Sequence, residues 1–481
     1  MHPTQSTAAK VRGGSSAGWT LALVSAALFM VTLDNLVVTT ALPSIRSDLG
    51  ASIEGLEWTV NAYTLSFAVL LLTGAALGDR FGRKRMFVLG VSGFTLASAA
   101  AAIAPSMGAL IAARGIQGAA AAMVAPLTLT LLSEAFPQEK RGVALGVWSG
   151  ISGLGVALGP LVGGAVVEGL TWQWIFWVNV PVGLVLVPLA ARRLSESRGP
   201  ARGLDLPGVA LASAGLLGIV YGIVRGNALG WGSASILVPI ASGLALLAAF
   251  VAYESRAKEP VLPMRFFRTR GFAATSGVSI AMTFGIFGSI FLLAQFFQTV
   301  QGYSPLEAGL RTLPWTGMPM LVAPIAGLLS DRIGSRPLMS AGLAFQAIAI
   351  TWLAATMRVD QPYAELLIPF VLGGTGMALV FAPAANAVLR AVRPHEAGQA
   401  SGANNALREL GGVMGVAVLA AVFTANGGYE SPQAFVDGVV PALHVGAGVL
   451  VAGALIALLI PGIAHERRAV AAEGEALAAA A

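Results

Sequence analysis

Cysteine is missing from all 481 residues, so this chain has neither a disulfide framework nor thiolate metal ligands. Lysine is nearly missing. Lys10, Lys84, Lys140 and Lys258 are the only ones, and none follows a glycine, which removes the G-K-[ST] ending that cradles a nucleotide phosphate and argues against ATP as a fuel. Charge of either sign is scarce: 11% of residues are charged, against roughly 25% in a soluble domain. With a mean hydropathy of +0.77, a water-soluble fold is excluded. His2, His395, His444 and His465 show no metal-ligating spacing, and no catalytic constellation is visible. The chain therefore reads as a non-enzyme with no cofactor and no metal.

What is present is apolar sequence, 56% of the chain. A helix needs about 20 apolar residues to cross a hydrocarbon core of about 30 Å. Such runs recur at about 19–42, 56–77, 86–104, 107–133, 144–167, 175–194, 205–226, 235–253, 272–296, 306–329, 338–357, 364–388, 397–424 and 439–463, which predicts fourteen spans. The sequence pI near 10.0 would suggest nucleic acid in a soluble protein, but here the basic residues lie between apolar runs, where they set topology. Of 29 Lys and Arg, 23 fall on the side of the N-terminus and only Arg46, Arg225, Arg311 and Arg358 on the other. This places both termini in the cytoplasm of a plasma-membrane protein. Residues 1–18 read as a retained cytoplasmic tail, since the first apolar run is too long for a signal-peptide core, and 464–481 as a second tail.

The sequence repeats itself. G-D-R-F-G-R-K-R at 78–85, after helix 2, is echoed by S-D-R-I-G-S-R at 330–336, after helix 10. The same offset relates helix 1 to helix 9. Two six-helix units, 19–194 and 255–463, are thus separated by a linker with two inserted helices, 195–254. Parallel repeats of this kind put a substrate site at the midplane between the halves. In the loops, Asp79, Arg80, Gly82 and Arg83, with Asp331, Arg332 and Gly334, offer carboxylates and guanidinium groups that hold helix ends together on one face and release them on opening. A plain topology signal accounts for the arginines but not for the repeated Asp-Arg-x-Gly order.

Four spans carry the remaining signals. In helix 5, Gly155, Gly159 and Gly163 recur every fourth residue and form a smooth stripe for close helix approach, with Gly146 before it, Gly164 beside it, and Pro160 permitting a bend. Asp34 in helix 1 and Arg114 in helix 4 are ionisable groups inside apolar spans. At about 1.5 Å per residue they lie roughly 12 and 10 Å below the same surface, so they are expected to meet. An intramembrane carboxylate is a functional candidate by default, and a proton-coupling role for Asp34 is favoured over a static Asp34–Arg114 fastening, because small residues fasten helices more cheaply. Glu409, in the helix 13 stretch S-G-A-N-N-A-L-R-E-L-G-G (401–412), falls near the midplane. It serves there as a cation or second proton site, or pairs structurally; both readings stand. Its neighbour Arg408 is about 100° away around the helix and need not face the same cavity. Substrate-binding candidates are Asn35, Gln117, Phe284, Phe287, Phe291, Trp315, Met318 and Glu409, although aromatic stripes more often face lipid or core.

Taken together, A-x-L-G-D-R-F-G-R-K (75–84), L-D-N-L-V-V-T-T-A-L-P (33–43), L-I-A-A-R-G-I-Q-G (110–118), the helix 5 glycines with Pro160, and 401–412 resemble the major facilitator superfamily, in its fourteen-helix drug:proton antiporter branch. The resemblance covers nearly the whole chain. It implies an all-α membrane protein with the major facilitator fold, two six-helix bundles plus two inserted transmembrane helices. It also implies a monomer that exchanges protons for small amphipathic compounds by alternating access. Ala75 stands where the family usually has glycine. T-L-P-W-T-G-M-P-M (312–320) in helix 10 lacks the acid of some cation exporters, so divalent-cation specificity is not implied. A facilitator or symporter of a metabolite, and a membrane sensor that lost transport, are the alternative functions of such a fold.

Overall fold

The computed structural model describes residues 15–198, 205–260, 262–392 and 396–462. The chain is a succession of long helices: α1 (Ser15–Leu49), α2 (Ile53–Phe81), α3 (Arg83–Ala102), α4 (Met107–Ala135), α5 (Gln138–Gly169), α6 (Trp174–Arg193), α7 (Leu206–Leu229), α8 (Ala234–Glu254), α9 (Arg270–Val300), α10 (Pro305–Thr316, continued as Met318–Ile333), α11 (Ser335–Thr356), α12 (Tyr363–Arg390), α13 (Ala397–Asn426) and α14 (Pro432–Ala457). Among the described residues, thirteen of these are long and apolar enough to cross a membrane. α5, with 32 residues, is long enough to be the fourteenth. The protein is a multi-pass membrane protein.

Helix ends follow local chemistry. Ser52, Ser106, Ser304 and Ser431 each accept a bond from the backbone N–H three residues on, satisfying a donor the first turn leaves open. Gly82 and Gly334 hold φ of +110° and +88° between α2 and α3 and between α10 and α11. That conformation disfavours any side chain, so the repeated glycine of the loop motif is a backbone requirement. Helix 10, expected as one rod, is instead interrupted at Gly317 between Thr316 and Met318. Pro314 and Pro319 each lack the N–H that would continue the helical ladder, and the chain bends there. α1 runs past its apolar stretch to Leu49, because Ser44, Arg46 and Asp48 keep helical backbone bonds at a polar boundary.

The packing repeats with an offset of eight helices. α1 against α5 recurs as α9 against α13, α2 against α4 as α10 against α12, and α3 against α4 as α11 against α12. The two halves meet along two related seams, α5 with α10 and α2 with α13. The inserted pair packs mainly on itself, and α7 also leans on α2 and α13. Asn227 of α7 fastens it, donating to the Ala421 carbonyl and, at 3.0 Å, to the Thr424 hydroxyl of α13.

Candidate functional site

Inside the first half, Asp34 and Arg114 are both fully buried. Arg114 Nη1 donates to Asp34 Oδ2 at 2.5 Å and to Gln117 Oε1 at 2.8 Å. Gln117 Nε2 and Asn179 Nδ2 both donate to Asp34 Oδ1, at 2.9 and 2.7 Å. The carboxylate thus receives three donors from α4 and α6, which offsets the large desolvation penalty of two buried charges. Asn179 also donates to Ser98 on α3 at 3.0 Å, and Arg114 Nε donates to the Thr59 carbonyl of α2 at 3.3 Å. Arg114 stacks over Tyr63 at 4.3 Å and stands 5.7 Å from the Phe176 ring, while its Nη2 has no partner. The cluster therefore ties five helices of one half to a single charge pair, with one strong donor left over. A network of this kind changes when Asp34 gains or loses a proton, because a neutral carboxyl no longer holds the guanidinium as tightly.

The other candidates fall into separate places. Asn35 is half-buried beside Asp34, and its Oδ1 has no partner. Glu409 is nearly buried, and the structure pairs it with its sequence neighbour: Arg408 Nη2 lies 3.2 Å from Oε1, while Oε2 is unpartnered. A long arginine spans the 100° between adjacent positions, and here its guanidinium also lies 4.7 Å from the Phe381 ring. Phe284, Phe291 and Trp315 are buried in the core of the second half, where Trp315 meets Phe370 edge-on at 5.7 Å. Phe287 and Met318 are half-buried, beside Gly412 and Gly374 respectively. The aromatic stripe of α9 thus divides between core packing and the helix interface.

In the first loop, Arg83 bonds Asp79 at 2.7 Å and also Glu134 at the end of α4. Glu196, after α6, accepts from the N–H groups of Lys84 and Arg85 at 3.0 and 3.2 Å and caps α3. A Cβ on Gly82 would stand 2.8 Å from that carboxylate. Arg80 lies near the Phe81 ring at 5.4 Å. In the second loop, Asn386 of α12 donates to Ser330 at 2.6 Å and Arg332 is exposed, whereas the Asp331 side chain lies outside the described residues.

The α5 stripe has two partners. Cβ atoms on Gly155, Gly159 and Gly163 would meet α1 at 3.2, 2.7 and 2.2 Å. Gly164 faces the other half instead, where a Cβ would be 2.2 Å from the Pro305 carbonyl, and Gly309 of α10 packs as closely on Pro160. The surroundings of Gly146 lie outside the described residues. The stripe runs from Gly155, level with the middle of α1, toward the distal end, opposite the end where α1 begins. Further bonds close that end across the halves: Gln298 Nε2 to the Thr40 carbonyl at 2.9 Å, Leu306 N to Glu168 at 3.1 Å, and the Arg46 guanidinium over the Tyr429 ring at 3.7 Å.

Sequence reasoning missed Asn179, Glu134 and Glu196. A single signal was available for Asn179, an amide just after the aromatic belt W-Q-W-I-F-W, inside an apolar span. The second and third are ordinary charges near loops until the fold brings them to Arg83 and to α3.

A helical membrane protein with two repeated six-helix halves and a buried charge pair between helices belongs to the class of transporters rather than enzymes. The sequence profile of the Major Facilitator Superfamily matches residues 24–416 and 278–480, and the chain belongs to that family. The chain is 38% identical over 486 residues to the cephamycin export protein CmcT of Amycolatopsis lactamdurans, covering 95% of this chain and 98% of that one. It is 34% identical over 424 residues to the tetracenomycin C resistance and export protein of Streptomyces glaucescens, covering 88% and 79%. The puromycin resistance protein pur8 of Streptomyces alboniger is 37% identical over 459 residues, with 92% and 91% covered. Among solved structures, a bacterial homologue of the human lysosomal transporter Spinster, inward-facing and unoccupied, superposes with a TM-score of 0.66 at 17% identity, covering 93% and 97%. At that identity the likeness concerns the fold.

Proposed function

We propose that this protein exports small amphipathic compounds, such as antibiotics or toxic metabolites, in exchange for protons across the plasma membrane by alternating access. The direction and the substrate class rest on the relatives named for export of, or resistance to, cephamycin, tetracenomycin C and puromycin. One observation carries the coupling: a fully buried Asp34 carboxylate held by Arg114, Gln117 and Asn179 in the interior of a transport fold. Protonation of Asp34 loosens Arg114, whose free Nη2 then takes another acceptor, and the half rearranges. With 23 of 29 basic residues on the side of the N-terminus, both termini are cytoplasmic and the distal end is external. On this reading the distal contacts described above belong to an externally closed state, and the protein works as a monomer. The loops at 78–85 and 330–336 gate the cytoplasmic face.

The test is a panel of toxic compounds applied to a sensitive host expressing the chain, with and without an uncoupler. Protection that disappears with the uncoupler is the expected result. Protection that survives collapse of the proton gradient would remove the coupling, and import of a metabolite would favour the facilitator reading.

A further inference from the structure

A second acid lies under the distal seal, outside the Asp34 cluster. Glu57, in the second turn of α2, is 1% exposed and its Oε2 has no partner. Asn61, one turn deeper on the same face, is fully buried with both its Oδ1 and Nδ2 unpartnered. Three unpaired polar atoms on one helix face inside a packed protein need an explanation, because buried polar groups are ordinarily bonded.

The distal end, where α2 begins, is closed by a contact between the halves. Arg46, at the end of α1, covers the Tyr429 ring at 3.7 Å, and the Tyr429 hydroxyl bonds Gln295 near the end of α9. Glu57 stands at the same end, in the second turn of the helix that follows α1 and packs against α13. Burial pushes the Tyr429 phenol up, Arg46 opposes that, and the Glu57 carboxylate adds to it. Among the described residues, four cations on the elements around α2 have carboxylate partners of their own. Arg225 of α7 bonds Glu54 at 2.5 Å, Arg114 of α4 bonds Asp34 of α1, Arg408 of α13 bonds Glu409, and Arg83 of α3 bonds Asp79 and Glu134. Burial without a cation beside it penalises the charged form of a carboxylate.

We propose that Glu57 is a second proton-exchanging group, which takes up a proton from the external solution as the distal seal closes over it and releases one when Arg46 and Tyr429 part. The O–H bond forms on the carboxylate while it is wet and breaks when it is wet again, so closure of the distal end consumes one proton and opening returns it. Asn61 supplies a donor and an acceptor suited to either form of the acid. This deepens the transport reading and rests on its alternating access, but its test does not require a known substrate.

The absence of native cysteine permits Ser47→Cys on α1 and Gln433→Cys on α14, both exposed at the distal end and one on each half, to carry spin labels. Distance distributions are measured in lipid nanodiscs from mildly acidic to mildly alkaline pH. In the otherwise native chain the long-distance, distally open population grows with pH. Glu57→Gln and Glu57→Met, both permanently uncharged, lose this growth and keep the short distance throughout, which also reports that they fold; Glu57→Asp restores it. A native pH response that persists in Glu57→Gln or Glu57→Met overturns the proposal, as does a native chain whose distances ignore pH. A chain that exports none of the compounds tested defeats the transport reading and leaves this distance measurement readable.

Discussion

The amide of Asn179 on α6 donates to the carboxylate of Asp34 on α1 at 2.7 Å, joining positions 145 residues apart. The same amide reaches Ser98 at 3.0 Å, so it holds the acid from the side opposite Arg114. Asn179→Leu strips a donor from Asp34 and an acceptor's partner from Ser98. Gln117 still bonds the same Asp34 oxygen and Ser98 still bonds the Phe176 carbonyl, so the loss is that of one hydrogen bond to a charged group, about 1.5–3 kcal/mol. A lower melting temperature in detergent, together with weaker export, is expected. An unchanged melting temperature would make the bond energetically idle.

Asp34→Asn keeps the shape of the site but replaces one accepting oxygen by an NH2 group facing a donor, and removes the carboxyl proposed to exchange the proton. Export against a gradient should fall to the passive leak, at least about tenfold, with folded protein retained. Arg114→Met alone leaves a buried carboxylate without its cation and is expected to destabilise by about 3–5 kcal/mol. The pair Asp34→Leu with Arg114→Met should recover folding without recovering export. Recovery of both would reduce the charge pair to a fastening.

Gly309 packs on Pro160 so closely that a Cβ would lie 2.3 Å from its carbonyl oxygen. Gly309→Val therefore wedges the α5–α10 seam apart, at a penalty of about 1–3 kcal/mol for overpacking. The expected outcome is a shift toward the distally open state, read by the distance between labels at Ser47→Cys and Gln433→Cys. Gly153→Ala, whose Cβ would meet nothing within 4 Å, is the control and should change neither stability nor distance.

Glu196 caps α3 by accepting from Lys84 and Arg85. Glu196→Ala removes the cap and should lower stability by about 0.5–2 kcal/mol. Asp79→Ala frees Arg83 from one of its two carboxylates. It should alter labelling of cysteines engineered at the end of the halves where α1 begins, and an unaltered pattern would leave the loop as a topology signal only. Gly82→Ala is expected to be the most damaging of the three, since it combines a φ of +110° with a collision against Glu196.

Much of the architecture was readable in one dimension because the bilayer imposes one-dimensional rules. Span length follows from core thickness, and the internal repeat from two copies of Asp-Arg-x-Gly. Depth along a helix is also linear in residue number, which is why Asp34 and Arg114 were expected to meet. The break of α10 at Gly317 was present as Pro314 and Pro319 but was overshadowed by the continuous apolar run.

The sequence by itself determined a fourteen-helix, twice-repeated membrane protein with an intramembrane acid and arginine, since hydropathy, charge bias and residue spacing are local quantities. Only the tertiary structure decided which polar groups surround that acid, that Arg408 folds back on Glu409, and that Glu196 closes α3. It alone showed that Phe284 and Phe291 are core and that Glu57 is buried with an unpartnered oxygen. Those facts depend on which faces of which helices meet across separations of tens to hundreds of residues, and the rotation of a helix in an apolar surround leaves only a faint imprint in its hydropathy.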